Sequence, residues 1–534
     1  MKFHRMGNVA RAYSFDRLIK SILIFLVSFI FVVFLLNYSF VYWDGWVVHG
    51  HDYNSILFLF KQLGGVAGYY YASIHTVLGN IGNGVFSYRL LMVLLLITTS
   101  LFIYKICYLS SIFNKNESLY ISALFLFFPF LNSKISIIVV PYYLSTFLFF
   151  LGFYLVVNSS YEKSLIRRIL VNLIFFLSFF TNSYISFYLL VLIYLFYQNL
   201  RMRSNENILF AIIDFIFRYF DFLSLPILFI LFKFTMMVPS GFYEGYNDLG
   251  HMEIGSGINA LIQSIEALYL GIIHLDGFEF YIYALSLLLA INLILSAREI
   301  YLSRQIKVSS FFRNLGLILL GVGLIALALF PYAFVGKIPV VSGWNDRHFL
   351  LVPLGFAIVI LFMAKLIYWG REIIVSLAVL GIVALFSYNI LLSIYSCLRD
   401  GIYQESIMEE FKSNKVFSAN NTFLILNKSD TRIFCHDRHV HYYEWNALLR
   451  QVYPEANKSI NNSEIQFEKT METRFLETFN AKNYVYSEPT QLCFNTRKIG
   501  LHDIFSMYFD KNFNYNYVQF SLPEKGAGNK EVCK

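Results

Sequence analysis

Runs of about twenty apolar residues recur from Leu18 to Tyr395, the length a helix needs to cross some 30 Å of hydrocarbon. The clear runs are Leu18 to Leu36, Val85 to Tyr104, Ile135 to Val157, Phe222 to Val238, Phe280 to Ala297, Leu315 to Val335, Phe349 to Trp369 and Ile373 to Tyr395. Leu119 to Leu131, Ile169 to Phe180 and Tyr184 to Tyr197 are shorter and read as thin spans or re-entrant hairpins. The expectation is a polytopic α-helical membrane protein with about eleven transmembrane helices. Composition agrees: 57% of the 534 residues are hydrophobic and 14% charged, whereas a soluble domain carries about a quarter charged residues. The net charge of +8 is spread over short connections between apolar runs, which argues for bilayer orientation and against nucleic acid. The first run is followed by Asn37, Tyr38, Ser39 and bulky Trp43 with no small-residue cleavage site, so it is expected to remain as an anchor.

The basic residues set the orientation. Lys2, Arg5, Arg11, Arg17 and Lys20 against Asp16 place the N-terminus in the cytoplasm. With every run spanning, the cytoplasmic connections hold Lys105 and Lys115, Arg167 and Arg168, Arg201 and Arg203, then Arg298 and Arg313. The opposite connections hold Asp44 and Asp52, then Lys134, then almost no charge, then Glu244, Asp248, Glu253, Glu266 and Asp276, then Lys337, Asp346 and Arg347. This places residues 396–534 outside the cytoplasm, as a second, more polar α/β domain following the membrane module 1–395. Alternating runs at Asn421 to Leu426 and Asn483 to Ser487 read as strands among helices. The tail holds Cys397, Cys435, Cys493 and Cys533. An oxidising compartment permits a bridge, and Cys435 to Cys493 is the expected pair because Cys397 hugs the membrane and Cys533 the terminus; unpaired thiols are the alternative.

The chain has no P-loop, dinucleotide glycine pattern, H-E-x-x-H or G-x-S-x-G, and no inverted repeat that would favour a secondary transporter. Chemistry is therefore sought in the first external loop, residues 37–85. It gathers Asp44, His49, His51, Asp52 and His75 among Tyr42, Trp43, Trp46, Tyr53 and Tyr69-Tyr70-Tyr71. A carboxylate there is placed to take a proton from a hydroxyl, and the aromatics suit an interfacial substrate or plain anchoring in the bilayer. Tyr53 to Leu63 is apolar on one side at helical spacing and predicts a helix along the surface. No cofactor is certain; a divalent cation, Mg or Mn, is the one this acid and histidine set would accept, although its spacing matches no closed metal site.

Other charges are weaker candidates. Lys233 lies within an apolar run, where an ionisable group is a functional suspect, yet it is close enough to Pro239 to snorkel. Asp214, Arg218 and Asp221 share a helical face and predict an internally paired surface helix. In the tail, His436, Asp437, Arg438, His439, His441 and Glu444 crowd beside Tyr442, Tyr443 and Trp445. That patch offers stacking and hydrogen bonds to a sugar, or is a solvated connection.

Three short motifs resemble the GT-C class of integral-membrane glycosyltransferases, which take sugar from a polyprenyl-phosphate carrier on the non-cytoplasmic face. Asp44 stands where that class keeps its catalytic acid, soon after the first span; Asp52 is the second acid. Phe86-Ser87-Tyr88-Arg89-Leu90 resembles the arginine motif opening the second span, and Arg347-His348-Phe349-Leu350-Leu351-Val352-Pro353 resembles that of a late external loop. The resemblance implies that Asp44 is the general base, that Arg89, Arg347, His348 and Lys233 meet the donor phosphate, and that Trp43, Trp46, His51, Tyr442 and Glu444 meet the acceptor. Fixed cations are what a departing phosphate requires.

The expected activity is inverting transfer of a hexose, glucose by analogy with O-antigen glucosyltransferases, to a lipid-linked or cell-surface glycan at the periplasmic face of a bacterial inner membrane. The expected partners are the lipid-linked donor, a glycan or glycolipid acceptor and the bilayer. A polysaccharide polymerase and a non-enzymatic lipid-linked oligosaccharide flippase are the alternatives.

Overall fold

The computed structural model describes residues 2–37, 39–81, 84–130, 132–159, 162, 164–203, 207–244, 254–300, 308–341, 344–368, 371–427, 438–454, 458–461, 487–510, 513–525 and 531–533. Apolar runs become helices because, in a medium without water, a helix satisfies every backbone N–H and C=O within its own segment. α1 (Lys2–Leu35) leads into two loop helices, α2 (Tyr53–Lys61) and α3 (Gly65–Asn80). α4 (Val85–Leu109), α5 (Lys115–Leu126), α6 (Val140–Val157), α7 (Leu165–Ser178), α8 (Ser183–Phe187) and α9 (Leu189–Met202) follow. Then come α10 (Ile208–Arg218), α11 (Phe220–Met236), α12 (Ile254–Ile273), α13 (Phe278–Ile300), α14 (Val308–Ala333), α15 (Val352–Ile367) and α16 (Glu372–Ser413).

The protein is thus a polytopic helical membrane protein. Each expected run falls largely on helix, but among the described residues six helices are long and apolar enough to cross a membrane, or up to eight if each of two bent pairs is one span. The bent pairs are α10 with α11, at 57°, and α12 with α13, at 76°. α5, α7 and α15 have 12, 14 and 16 residues, only about 18–24 Å of helix against about 30 Å of hydrocarbon. α12 has no counterpart among the expected segments: Gly255, Ser256, Asn259, Gln263, Ser264 and Glu266 interrupt its apolar pattern.

Close crossings hold the bundle. α14 meets α15 where Gly321 and Gly355 face each other; a Cβ on either would stand 2.6–2.8 Å from the other's carbonyl oxygen. Phe149, Phe175, Phe179, Phe187, Tyr188 and Phe229 interlock as a buried aromatic layer, each ring removing some 150–250 Å² from its surroundings. In the first turn of α5, Glu117 is buried and accepts from Arg313 Nη2 at 2.8 Å and Lys365 Nζ at 2.5 Å. Lys365 is thereby committed to an ion cluster joining α5, α14 and α15. The acids and base of α10 and α11 pair outward rather than with one another: Asp214 with Arg203, Arg218 with Glu162 and Asp221 with Arg168. The bend after Arg218 breaks the single face on which the expected internal pairing depended.

α16 is 42 residues long, about 63 Å, and runs from the bundle into the tail. There α17 (Lys415–Ala419), β1 (Thr422–Ile425), α18 (Tyr442–Val452), β2 (Ser459–Asn461), β3 (Thr490–Thr496), α19 (Leu501–Phe509), β4 (Val518–Ser521), β5 (Glu524–Lys525) and β6 (Glu531–Val532) follow. The larger sheet has the order β2-β1-β3-β4, with β1 parallel to β2 and β3, and β3 antiparallel to β4. Trp445, Phe494 and Phe520 pack beneath it. The expected strand at Asn421 to Leu426 is β1; Asn483 to Tyr486 of the second lie outside the described residues. Cys493 is bonded to Cys533, not to Cys435, which lies outside the described residues. Nearness of Cys533 to the chain end was a poor reason to discount it, because β5 and β6 bring the end back beside β3. Cys107 and Cys397 are buried and not disulfide-bonded.

Candidate active site

The acid singled out in the sequence sits on a 3-10 turn, Trp43–Val47, just beyond α1. Trp43 has φ +49°, a left-handed backbone that costs a bulky residue on the order of 1–2 kcal/mol, so its surroundings must hold it. They do so from several elements. The Tyr42 phenol lies 2.7 Å from Asn37 Oδ1 and 2.8 Å from the Cys397 carbonyl of α16, its one proton shared between the two acceptors. Gln404 Nε2 donates to the Val41 carbonyl at 2.8 Å, and Ser136 Oγ to the Tyr42 carbonyl at 3.0 Å. Glycine suits position 45, where a Cβ would crowd Ile137 Cγ1 at 3.0 Å and Val41 Cγ1 at 3.1 Å.

Asp44 is half-buried, and the tail roofs it. The Tyr443 phenol of α18 donates to Asp44 Oδ1 at 2.5 Å. Burial pushes the Asp44 carboxyl above the ordinary carboxylate range, and Glu444 pushes the same way; the Tyr443 bond, Arg347 and His441 pull it down. Arg347 comes from the 3-10 segment Trp344–Phe349, so that segment, the tail and the first loop converge on one carboxylate.

α18 is fixed firmly. Glu444 is fully buried and accepts from Arg438 Nη1 at 2.6 Å and Nη2 at 2.7 Å, and from the His441 N–H at 2.9 Å. It serves as an N-terminal cap and an ion-pair partner, with no surface left for a sugar. The Arg438 guanidinium lies 5.6 Å from the centroid of Trp43, a cation–π contact that ties α18 to the strained turn. Tyr442 is partly buried and meets Tyr443 edge-on at 5.4 Å. His436 and Asp437 lie outside the described residues.

The remaining sequence candidates are placed as follows. Asp52 is exposed and caps α2 by accepting from the Ser55 N–H at 3.0 Å; the Ser55 hydroxyl, and then its N–H, hold the carboxyl low. His51 is held down to about 4 by burial and by Arg450. Trp46 is buried with His49 edge-on at 5.6 Å, and its Nε1 has no partner among the described residues. Arg89 is buried, 1% exposed, and its guanidinium turns to the carbonyls of Phe40 at 3.1 Å and Asn37 at 3.5 Å. Lys233 is half-buried in the last turn of α11. His348 is buried against Tyr332, ring centroids 4.7 Å apart, and burial with neighbouring Arg347 and Lys337 lowers it to about 3, so it is neutral at physiological pH. Among the described residues no three His, Cys, Asp or Glu side chains gather as a metal-ligand set.

Two groups entered the sequence reading only as charges of the external connections. Asp346 is fully buried and accepts from the Asn132 N–H at 2.6 Å and the Ser133 N–H at 3.0 Å, pinning the Arg347 segment to residues 132–135. Lys134 lies in that same turn, its ammonium lowered to about 8 by burial against the pull of Asp346. It lines, with Thr99, Tyr143 and Thr146, a cavity of about 20 Å³, room for one water. Lys134 stood in a connection with no other charge, whereas Asp346 lies beside Arg347 and in the same connection as Lys337, so isolation marked out only the first. Compared with family models, characterised proteins and solved structures, the chain gives no match.

Proposed function

We propose that the chain is an inverting GT-C-type glycosyltransferase of a bacterial inner membrane, with eleven spans, a cytoplasmic N-terminus and residues 396–534 forming a periplasmic domain. It moves a hexose, glucose in the first instance, from polyprenyl phosphate to a lipid-linked or cell-surface glycan such as O-antigen. Asp44 takes the proton of the acceptor hydroxyl, whose oxygen attacks the anomeric carbon opposite the departing polyprenyl phosphate. Arg347 offsets the charge developing on that phosphate.

The observation that carries this reading is that Asp44, bonded to Tyr443 of α18, feels the charge of Arg347, which is distant from it in sequence. Burial raises the basicity of Asp44, and a basic carboxylate is the better proton acceptor near neutral pH. Arg89, Asp52 and Glu444 enter as supports of the loop, of α2 and of α18. Against a flippase, Lys365 is already bound by Glu117 rather than standing in a polar pathway.

The test is incubation of purified protein in lipid with radiolabelled polyprenyl-phosphate hexoses and envelope glycolipid. Wild type should transfer label and Asp44→Ala should lose transfer by at least a hundredfold. Full activity in that variant sinks the assignment of the base, and no transfer from any donor moves the polymerase and flippase readings ahead.

A further inference from the structure

We infer that Tyr443 is a positioning residue for Asp44: its phenol holds Oδ1 so that Oδ2 is presented to the acceptor hydroxyl, making α18 an integral part of the reacting site. This rests on the glycosyl-transfer reading above.

The geometry is specific to one oxygen. The phenol donates to Oδ1 at 2.5 Å, and among the described residues no group hydrogen-bonds to Oδ2. The carboxylate is only half-buried, so it keeps an accessible side. Tyr443 is itself held: its ring stacks on His441 at 5.3 Å and 14°, and meets Tyr442 edge-on. α18 cannot shift without breaking the Arg438–Glu444 pair or lifting Arg438 from Trp43. A carboxylate with one oxygen pinned loses its rotational freedom, and the second oxygen then meets a bound hydroxyl without an ordering cost.

The groups facing Asp44 are Tyr442, Tyr443, Glu444 and His441 from α18 and its cap, and Arg347 from the segment 344–349. The neighbouring turn Ile137–Val139 brings only aliphatic side chains. A hydrogen bond to the ionised carboxylate favours that form, so its removal raises the carboxyl's affinity for protons. A tyrosine that served only the packing of α18, without a bond to the carboxylate, would not have that effect.

Tyr443→Phe keeps the ring and removes the bond. Transfer by the full chain in lipid should show kcat lowered on the order of tenfold with KM little changed, and the acid limb of its pH profile moved up by about one unit. Isotope-edited infrared titration of Asp44, read as wild type minus Asp44→Asn, should move up with it whether or not transfer is observed. An unchanged titration and pH profile in Tyr443→Phe, with Asp44→Asn inactive, overturns the positioning role and leaves the base standing. Retained transfer in Asp44→Asn overturns the base and the role of Tyr443 together, even where the infrared shift is present.

Discussion

The guanidinium of Arg89 donates to the carbonyl of Phe40 at 3.1 Å, deep in the protein, while its plane lies 5.6 Å from the centroid of Phe34 and 5.5 Å from that of Tyr42. α4 thereby grips the segment joining α1 to the strained turn at Trp43. The sequence motif that drew attention to this arginine marks an anchor of the acid's loop.

Replacing Arg89 should therefore cost stability before it costs chemistry. Hydrogen bonds from a charged donor contribute about 1.5–3 kcal/mol each, and a lysine cannot reproduce a planar fork between two carbonyls and two rings. Arg89→Lys is expected to lower the thermal unfolding midpoint in detergent, and Arg89→Ala to lower it further. An unchanged midpoint for both would show the anchor to be redundant with the Tyr42 and Gln404 bonds.

What the sequence disclosed and what it hid follow from the range of the interactions. Apolar runs such as Val85 to Tyr104 are legible because helix formation in lipid depends on composition within the run itself. α12 was not, because its apolar face is one-sided and broken by Gly, Ser and Asn. The helix at Tyr53 to Leu63 was read from its spacing and is α2. Asp44 was singled out by its place in the chain. Its bond to Tyr443 was not, since it joins residues 399 positions apart through the docking of α18, which no local pattern encodes. Asp52 and Glu444 looked like site acids because capping and catalysis use the same residue type; only the N–H groups of Ser55 and His441 distinguish the two uses.

The cysteine pairing shows the same limit, since spacing cannot choose between connectivities. The Cys493–Cys533 bridge closes 40 residues, a loop for which chain entropy gives about 3–4 kcal/mol of stabilisation. Cys533→Ser is expected to make the tail markedly more sensitive to protease. Proteolysis of the unreduced protein should yield a bridged peptide pair containing Cys493 and Cys533. A pair containing Cys435 and Cys493 instead would displace the bond seen here.

The buried histidines make stability depend on pH in a predictable sense. Burial lowers His51 to about 4 and His348 to about 3, from 6.5, with Arg450 acting on the first and Arg347 on the second. The unfolded chain takes up protons at these positions as pH falls through 6.5, whereas the folded protein does so only near 4 and 3. Their contribution is therefore fully present above pH 6.5 and is lost on acidification towards those values, by up to about 1.4 kcal/mol per pH unit for each histidine. Asp44, raised rather than lowered, acts with the opposite sign at pH values just above 3.8. Asp52, lowered by its cap, begins to matter only below 3.8. Between pH 6.5 and 5 the histidines should dominate, so the unfolding midpoint in detergent should fall across that interval. In His348→Gln, which keeps a polar group against Tyr332 but cannot titrate, the fall should be shallower. An equally steep fall in that variant would mean that His348 takes up its proton in the folded protein as readily as in the unfolded chain, and that its burial against Tyr332 does not set its charge.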